Sequence, residues 1–155
     1  MRYIIILIFL FSFNAFANEY RLSWYPKDKY FDTIQTPENN KFSLINTEGV
    51  WEDNKGSFGI MKCLLSLFTD EKQNTNLNGF CEANDNNDSK SKFWVTLKRS
   101  SLETTGVGEM TYVSGTGIYK RVVGMSCKYA VKFLGDYGVI KQKCSEDFST
   151  KLNKQ

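Results

Sequence analysis

The chain contains no histidine, and this absence removes several kinds of active site. Without histidine, neither a Ser-His-Asp triad, nor a Cys-His dyad, nor a histidine-ligated metal site can be assembled. The formal net charge of +3 at pH 7 is too small to indicate a nucleic acid or an anionic membrane as a partner. No C-x-x-C motif is present, which argues against a redox pair. We therefore predict no metal site and no cofactor for the leading hypothesis, and any enzyme made from this chain must use carboxylates, tyrosine, lysine or a bound cofactor.

The first 17 residues have the pattern of a secretory signal peptide. Arg2 supplies a positive start, Ile4 to Phe11 is an unbroken apolar run, and Ala15-Phe16-Ala17 is a small-x-small cleavage site. The alternative is an uncleaved anchor, but a spanning helix needs about 20 apolar residues. We expect an exported protein, periplasmic or secreted, with no membrane span after cleavage. Removal of Arg2 lowers the formal charge from +3 to +2 and leaves 138 of the 155 residues, enough for one domain.

The chain after the signal segment has two textures. Residues 18–40 form a lead-in that contains both prolines and several aromatic side chains, and residues 149–155 look like a solvated tail. Between them, short apolar or alternating runs recur about every 12 to 15 residues, which is typical of strands in an all-β sandwich or barrel. Interrupting glycines and the β-branched and aromatic content argue against helices. The runs are 42–52, 57–69, 75–84, 92–100, 107–113, 117–123, 125–134 and 138–146.

The four cysteines allow three pairings, and the turn signals select one of them. Residues that face each other in an antiparallel hairpin have a constant index sum. Pairing Cys63 with Cys81 centres a turn in the polar stretch 70–74, gives one wholly apolar face, and places Lys62 opposite Glu82 on the other face. A slip of one residue would disturb both faces. We predict a Cys63–Cys81 disulfide.

The second hairpin follows from the same arithmetic. Pairing Cys127 with Cys144 centres a turn between Gly135 and Asp136, and glycine at the first central position suits a type II′ hairpin. Directly opposed residues lie close enough for a disulfide. We predict a Cys127–Cys144 disulfide. In an oxidising compartment both bridges are structural rather than redox-active, and each should stabilise the fold by about 3 kcal/mol.

A third turn extends the meander into a barrel. Centring it on Asp88 places Cys81 opposite Val95, so that residues 57–99 form consecutive hairpins with a common inner face. Short sequential connections of this kind indicate an antiparallel up-and-down barrel, which also removes exposed sheet edges. The lead-in segment is expected to pack on this barrel. Its aromatic residues could line a ligand mouth, or the segment could simply wrap the sheet; these residues are Trp24, Tyr25, Tyr30 and Phe31.

Three carboxylates are candidates for acid–base chemistry: Glu103, Glu109 and Asp136. Glu109 is the candidate catalytic residue, because one reading of the alternation points it into the barrel, where burial would raise its pKa. In the other reading Met110 and Tyr112 face inward and Glu109 lies in solvent. We favour the second reading, because an ionised glutamate is rarely buried.

The loop of residues 82–88 carries several oxygen donors of the type that calcium uses. It lacks the glycine and the terminal glutamate of an EF-hand loop. Asn and Asp also favour tight turns on conformational grounds. We therefore interpret this loop as a solvated hairpin turn rather than a metal site.

Two segments resemble known small secreted barrels. Residues 115–120 (GTGIYK), followed by Gly124 and a strand with Tyr129, resemble the G-T-G-K-Y-x-G-x-x-G segment of allene-oxide-cyclase-like and dirigent-like barrels and of related bacterial proteins of unknown function. Residues 49–63 are similar to the first hairpin of those bacterial proteins, and the likeness spans about 48–145. The resemblance implies an eight-stranded calycin-like barrel with the glycines at strand turns. It carries over no active-site residues, and it departs from the usual segment at Ile118, Arg121 and Val123.

Three functions are consistent with these patterns. The leading hypothesis is a non-enzymatic exported barrel that binds a small apolar ligand or an envelope protein. The second is an isomerase- or cyclase-like enzyme that uses an inward carboxylate. The third is a secreted inhibitor that presents a loop such as Val113 to Tyr119. The barrel interior discriminates among them: an open apolar cavity favours binding, a convergent polar cluster favours catalysis, and a packed core favours a surface role.

Overall fold

The computed structural model describes residues 19–102 and 105–153, except for the side chains of 28–31 and 102. The predicted signal segment and Glu103 lie outside the described residues. Eight strands, one 3-10 helix and one α-helix make up the described chain. Their bounds are β1 (Arg21–Gln35), β2 (Lys41–Asp53), β3 (Phe58–Thr69), β4 (Asn74–Asn84), β5 (Lys92–Leu102), β6 (Thr105–Gly115), the 3-10 helix (Gly117–Val122), β7 (Ser126–Leu134), β8 (Tyr137–Lys143) and α1 (Glu146–Asn153).

The eight strands form a closed antiparallel barrel. Each strand pairs with the next along the chain, and β1 pairs with β8, where Trp24 lies opposite Ile140. Successive side chains of a strand point to opposite faces, so Leu65 of β3 is buried inside while Leu64 is exposed outside. The predicted all-β, up-and-down barrel of eight strands is confirmed.

Both predicted disulfides are present. The Cα atoms are 4.1 Å apart in Cys63–Cys81 and 4.5 Å apart in Cys127–Cys144. The register on either side agrees with the index-sum argument, because Lys62 faces Glu82 across β3 and β4. The Lys62 ammonium nevertheless turns to the other neighbouring strand, with its Nζ 3.4 Å from Glu48 Oε2. The turn positions and the apolar inner face therefore predicted the hairpin registers correctly.

The lead-in segment was assigned wrongly. Residues 18–40 were expected to pack on the barrel, but residues 21–35 form β1, the strand that closes it. The inward positions of β1 follow the strand period, with Leu22, Trp24 and Pro26 all buried. Proline cannot donate a ladder hydrogen bond. It is tolerated here because the β1–β8 pairing is interrupted between Trp24 and Lys27.

The run at 117–123 was also assigned wrongly, because it forms a 3-10 helix instead of a strand. Gly117 adopts a positive φ of 55°, which turns the chain out of the sheet immediately after β6. Tyr119 and Val122 are both buried, and their spacing of three residues matches the period of a 3-10 helix. Eight runs were thus predicted and eight strands exist, but β1 takes the place of this segment.

The predicted solvated tail is in large part a helix. Residues 149–155 were expected to form a solvated tail, yet α1 spans Glu146–Asn153 and packs on one end of the barrel. Phe148 and Leu152 lie one helical turn apart and are buried. The ring of Phe148 lies 4.8 Å from that of Tyr20 and 4.9 Å from that of Tyr112. Two apolar residues are enough to dock this helix, but too few to reveal it as an amphipathic pattern.

The two ends of the barrel differ in how they are filled. We call the end covered by α1 and the 3-10 helix the closed end, and the end that carries the β7–β8 turn the open end. Aromatic side chains fill the closed half. The Phe93 ring lies 4.8 Å from Tyr119, 5.3 Å from Tyr112 and 5.3 Å from Trp51. The interior toward the open end carries smaller side chains, and there the core gives way to a cavity.

Candidate ligand-binding cavity

A cavity of about 410 Å³ occupies the open half of the barrel interior. Pro26 and the β7–β8 turn, Gly135 and Asp136, form its rim. Its wall is contributed by inward-facing positions of strands around the barrel, and most of these positions are aliphatic. The aliphatic wall residues are Ile45, Leu65, Leu67, Leu77, Leu97, Val131 and Ile140.

Two glycines at inward positions of β6 leave room for the side chains of neighbouring strands. In β6 the inward series runs from Tyr112 and Met110 at the closed end to Gly108 and Gly106 at the open end. Glycine contributes no side chain to the interior, so the space above Met110 is left to neighbouring strands. A methyl group added to Gly108 would overlap the phenol of Tyr129. The glycines therefore replace bulk in β6 with room for longer side chains.

Arg99 and Tyr129 are the largest polar side chains in the cavity wall. Arg99 is inward-facing on β5, only 5% exposed, and lies directly opposite Gly108 in the register. A Cβ atom on Gly106 would be 3.1 Å from Arg99 Cδ, so the arginine stem runs along this bare stretch of β6. A guanidinium stays protonated in proteins. The wall therefore carries a permanent positive charge.

The Tyr129 phenol is held neutral beside this charge. Burial raises the pKa of Tyr129 to about 12, and the nearby Arg99 charge partly opposes the rise. A neutral phenol is a hydrogen-bond donor. Trp24 lines the same cavity and is 1% exposed. Within residues 19–102 and 105–153, its buried Nε1 meets no hydrogen-bond acceptor. The cavity is thus apolar over most of its wall, with a cation and donors at a few positions.

A second set of polar side chains lies at the closed end, where its members hydrogen-bond to one another. The Tyr119 hydroxyl donates to Asp85 Oδ2 at 2.9 Å, and the Tyr20 hydroxyl donates to Asp53 Oδ2 at 3.0 Å. Gln142 Nε2 donates to the Tyr112 hydroxyl at 3.0 Å. Burial raises the pKa of Tyr20, Tyr112 and Tyr119, and each of these hydroxyls has a side-chain hydrogen-bond partner. None of these six polar residues lines the open cavity.

Glu109 lies on the outer surface of the barrel. Its Oε2 is 2.7 Å from Lys128 Nζ, and the hydrogen bond from Lys128 lowers the pKa of Glu109. Met110 and Tyr112 face inward instead, as in the second of the two readings of this strand. An acid–base role for Glu109 inside the barrel is therefore contradicted by its position. Of the other two carboxylates, Asp136 lies on the cavity rim and Glu103 lies outside the described residues.

The lead-in aromatics do not act as one group. Trp24 lines the cavity, whereas the Tyr25 hydroxyl donates to Glu52 Oε1 on the exterior at 3.0 Å. The side chains of Tyr30 and Phe31 lie outside the described residues. One member of the predicted mouth therefore contributes to the cavity, and it lies in the wall.

The 113–119 segment and the 82–88 loop are both anchored to the barrel. Tyr119 is fully buried, and Thr116 Oγ1 donates to the Lys90 carbonyl at 2.6 Å. Asp85 is 3% exposed, and its Oδ1 accepts the Asn87 N–H at 2.9 Å. No group of three or more potential metal-ligating residues occurs in the described part of the chain. This anchoring argues against the hypothesis that the 113–119 segment is a freely presented inhibitory loop.

Arg99 and Tyr129 were missed as site residues, although the register contained a signal for one of them. Once Cys81 is placed opposite Val95, the inward series of β5 runs through Val95, Leu97 and Arg99. A charged residue at an inward position is rare unless it is paired or functional. The inward position of a charged residue therefore indicated Arg99 as a candidate site residue.

Comparison of the chain with models of known protein families, with curated proteins and with solved structures finds no match. Nor does any helix in the described residues have the length and apolar character needed to cross a membrane.

Proposed function

We propose that this protein is an exported, non-enzymatic barrel that binds a small apolar ligand in the cavity of its open half. The observation that carries the proposal is the cavity itself. Its volume of about 410 Å³ lies within the range of about 300–1,000 Å³ that is usual for small-molecule sites. Its largely aliphatic wall with a few polar groups is also the composition expected of such a site.

Export is supported by independent features. Two disulfides indicate an oxidising compartment, and residues 1–17 carry the signal-peptide pattern. We propose a periplasmic or secreted location on this basis. We also propose kinship with calycin-like barrels, which is supported by the eight-stranded closed barrel and by the sequence resemblance of residues 115–120.

A pair of adjacent leucines allows a matched test. Leu65 lines the cavity, while Leu64 is 68% exposed on the outside of the same strand. Leu65→Trp should fill part of the cavity, and Leu64→Trp adds the same bulk outside. We expect Leu65→Trp to weaken binding of an uncharged naphthylamine dye by roughly tenfold or more, as for removal of a well-filled apolar subsite. Leu64→Trp should leave binding unchanged.

The dye titration is followed by its fluorescence, with folding of each variant checked by circular dichroism. If Leu65→Trp fails to fold, Leu77→Trp probes the same wall. Equal effects of the inner and outer substitutions would place the dye on the exterior and contradict the proposal. Absence of dye binding to the wild type, together with absence of any retained ligand in native mass spectrometry, would also contradict it.

A protein-binding role is the second candidate, because the barrel exterior is unusually apolar on one side. Ile34, Phe42 and Phe68 form one continuous cross-strand row, and Leu64 and Phe80 form another. All five are exposed, with Ile34 at 70%. Large apolar patches on an exterior are typical of interaction surfaces. Phe42→Lys with Phe68→Lys should abolish recovery of a partner from envelope extract, and unchanged recovery would contradict this role.

An isomerase- or cyclase-like activity has less support. Among the cavity-lining residues of the described chain, the only carboxylate is Asp136, in the exposed β7–β8 turn. A general acid or base must lie within hydrogen-bond reach of the atom it serves. Asp136 could serve only a group held at the rim. Replacement of Asp136 by Asn should leave any detected turnover unchanged.

A further inference from the structure

We propose that the ligand is a single-chain amphiphile whose anionic head binds at Arg99 and Tyr129 while its apolar chain fills the aliphatic part of the cavity. This inference rests on the proposed function and specifies the chemical class of the ligand.

The cavity wall carries a charge from which a purely apolar ligand would gain nothing. Arg99 is a cavity-wall residue, and 95% of its surface is removed from water. Moving a charged group out of water is costly unless it is paired or hydrogen-bonded. Leucine or methionine at this position would complete an aliphatic wall. A guanidinium is instead suited to recognition of a planar, two-oxygen anion such as a carboxylate.

Arg99 has protein interactions of its own, and these leave its charge in the cavity wall. A guanidinium carries five N–H donors arranged as a fork. Some can serve the protein while others serve a ligand. The relevant features are therefore its position in the wall and its fixed charge.

Neutral hydrogen-bond donors belong to the same cavity wall as that charge. Tyr129 lines the same cavity, and the Arg99 charge acts on its phenol strongly enough to affect its pKa. Trp24, another wall residue, has a buried indole N–H for which the described chain offers no acceptor. An unsatisfied buried donor costs stability. The Tyr129 phenol can donate to a ligand oxygen held beside Arg99, whereas the Trp24 Nε1 itself has no surface open to the cavity.

The rest of the cavity wall is largely aliphatic. The aliphatic residues surround these polar groups instead of forming a separate site, and all belong to one continuous cavity. An inorganic anion would leave this aliphatic surface uncovered. An uncharged hydrocarbon would leave the donors unsatisfied. A molecule with an anionic head and an alkyl chain satisfies both parts.

The test compares two ligands of equal chain length, dodecanoate and dodecanol, as competitors of the naphthylamine dye at neutral pH. Wild-type protein should bind dodecanoate roughly tenfold or more tightly than dodecanol, which corresponds to one charge-assisted hydrogen-bonded contact. Arg99→Gln should remove this preference and leave the affinity for dodecanol nearly unchanged. Lys98→Gln is the matched control, because Lys98 precedes Arg99 and is exposed outside the barrel. It should retain the full preference.

The outcomes separate this inference from the proposed function. If neither dodecanol nor the dye binds, the binding function itself fails. If both competitors bind equally in the wild type, or if Arg99→Gln retains the preference, only the anionic-head inference is overturned. Should Arg99→Gln not fold, Tyr129→Phe replaces it. Its expected effect is a severalfold loss for dodecanoate alone, as for removal of one hydrogen-bond donor, and an equal loss for both ligands would overturn the inference.

Discussion

The Cys63–Cys81 bridge provides a quantitative prediction for stability. It joins residues 18 apart in sequence, and Cys127–Cys144 joins residues 17 apart. Closing loops of this length lowers the entropy of the unfolded chain and should stabilise the folded state by about 3 kcal/mol for each bridge. Because a small domain is stable by only about 5–15 kcal/mol, loss of one bridge should be large. For a chain of this size it corresponds to a fall in Tm of about 10 °C.

The assay uses the double variant Cys127→Ala with Cys144→Ala, in which Cys63–Cys81 is the sole bridge. Urea unfolding with and without reductant then compares the same sequence in cross-linked and open forms. The reverse double variant, Cys63→Ala with Cys81→Ala, tests the other bridge and should give nearly the same difference, because the loops are of nearly equal length. A difference below about 1 kcal/mol for both bridges would refute the loop-entropy reasoning.

Two further predictions concern buried aromatic side chains. Burial raises the pKa of four tyrosines: Tyr20, Tyr112, Tyr119 and Tyr129. Their contribution to stability is therefore complete below the ordinary tyrosine pKa near 10, and it is lost as the pH rises above that value. The loss is about 1.4 kcal/mol per pH unit for each tyrosine that ionises only in the unfolded chain. Tyrosinate absorbance and circular dichroism should therefore change together, and ionisation of these tyrosines in an intact barrel would contradict the prediction. Phe148→Ala should cost about 3–5 kcal/mol in urea unfolding because it removes a fully buried ring, whereas Thr150→Ala, on the exposed side of α1, should cost far less; equal costs would show that α1 does not seal the barrel.

The hairpin registers could be predicted from the sequence because they are local. A turn position and an alternating pattern fix which residues face each other, and the cysteines supply a check. Lys62 opposite Glu82 and the β7–β8 turn at Gly135 followed from this reasoning. The strand β1 could not be recognised in the same way, because its proline and charges hide an inward series, and one of its partner strands, β8, lies near the other end of the chain.

The cavity could not be predicted from the sequence because it depends on bulk summed around the whole barrel. No single strand shows that Trp24, Leu65 and Ile140 line one interior volume. Helix α1 escaped recognition for a related reason, since its two buried residues gain their burial from Tyr20 and Tyr112 on distant strands. Both the cavity and the docking of α1 depend on contacts between residues that are distant in sequence.

The most direct test of the central claim is to locate a bound probe by NMR. Methyl-labelled protein saturated with the uncharged naphthylamine dye should show intermolecular NOEs to methyl groups of the cavity wall, such as Leu77, Leu97 and Val131. Methyl groups on the exterior, such as Leu64 and Val107, should show none. NOEs confined to the exterior methyl groups would contradict ligand binding inside the barrel.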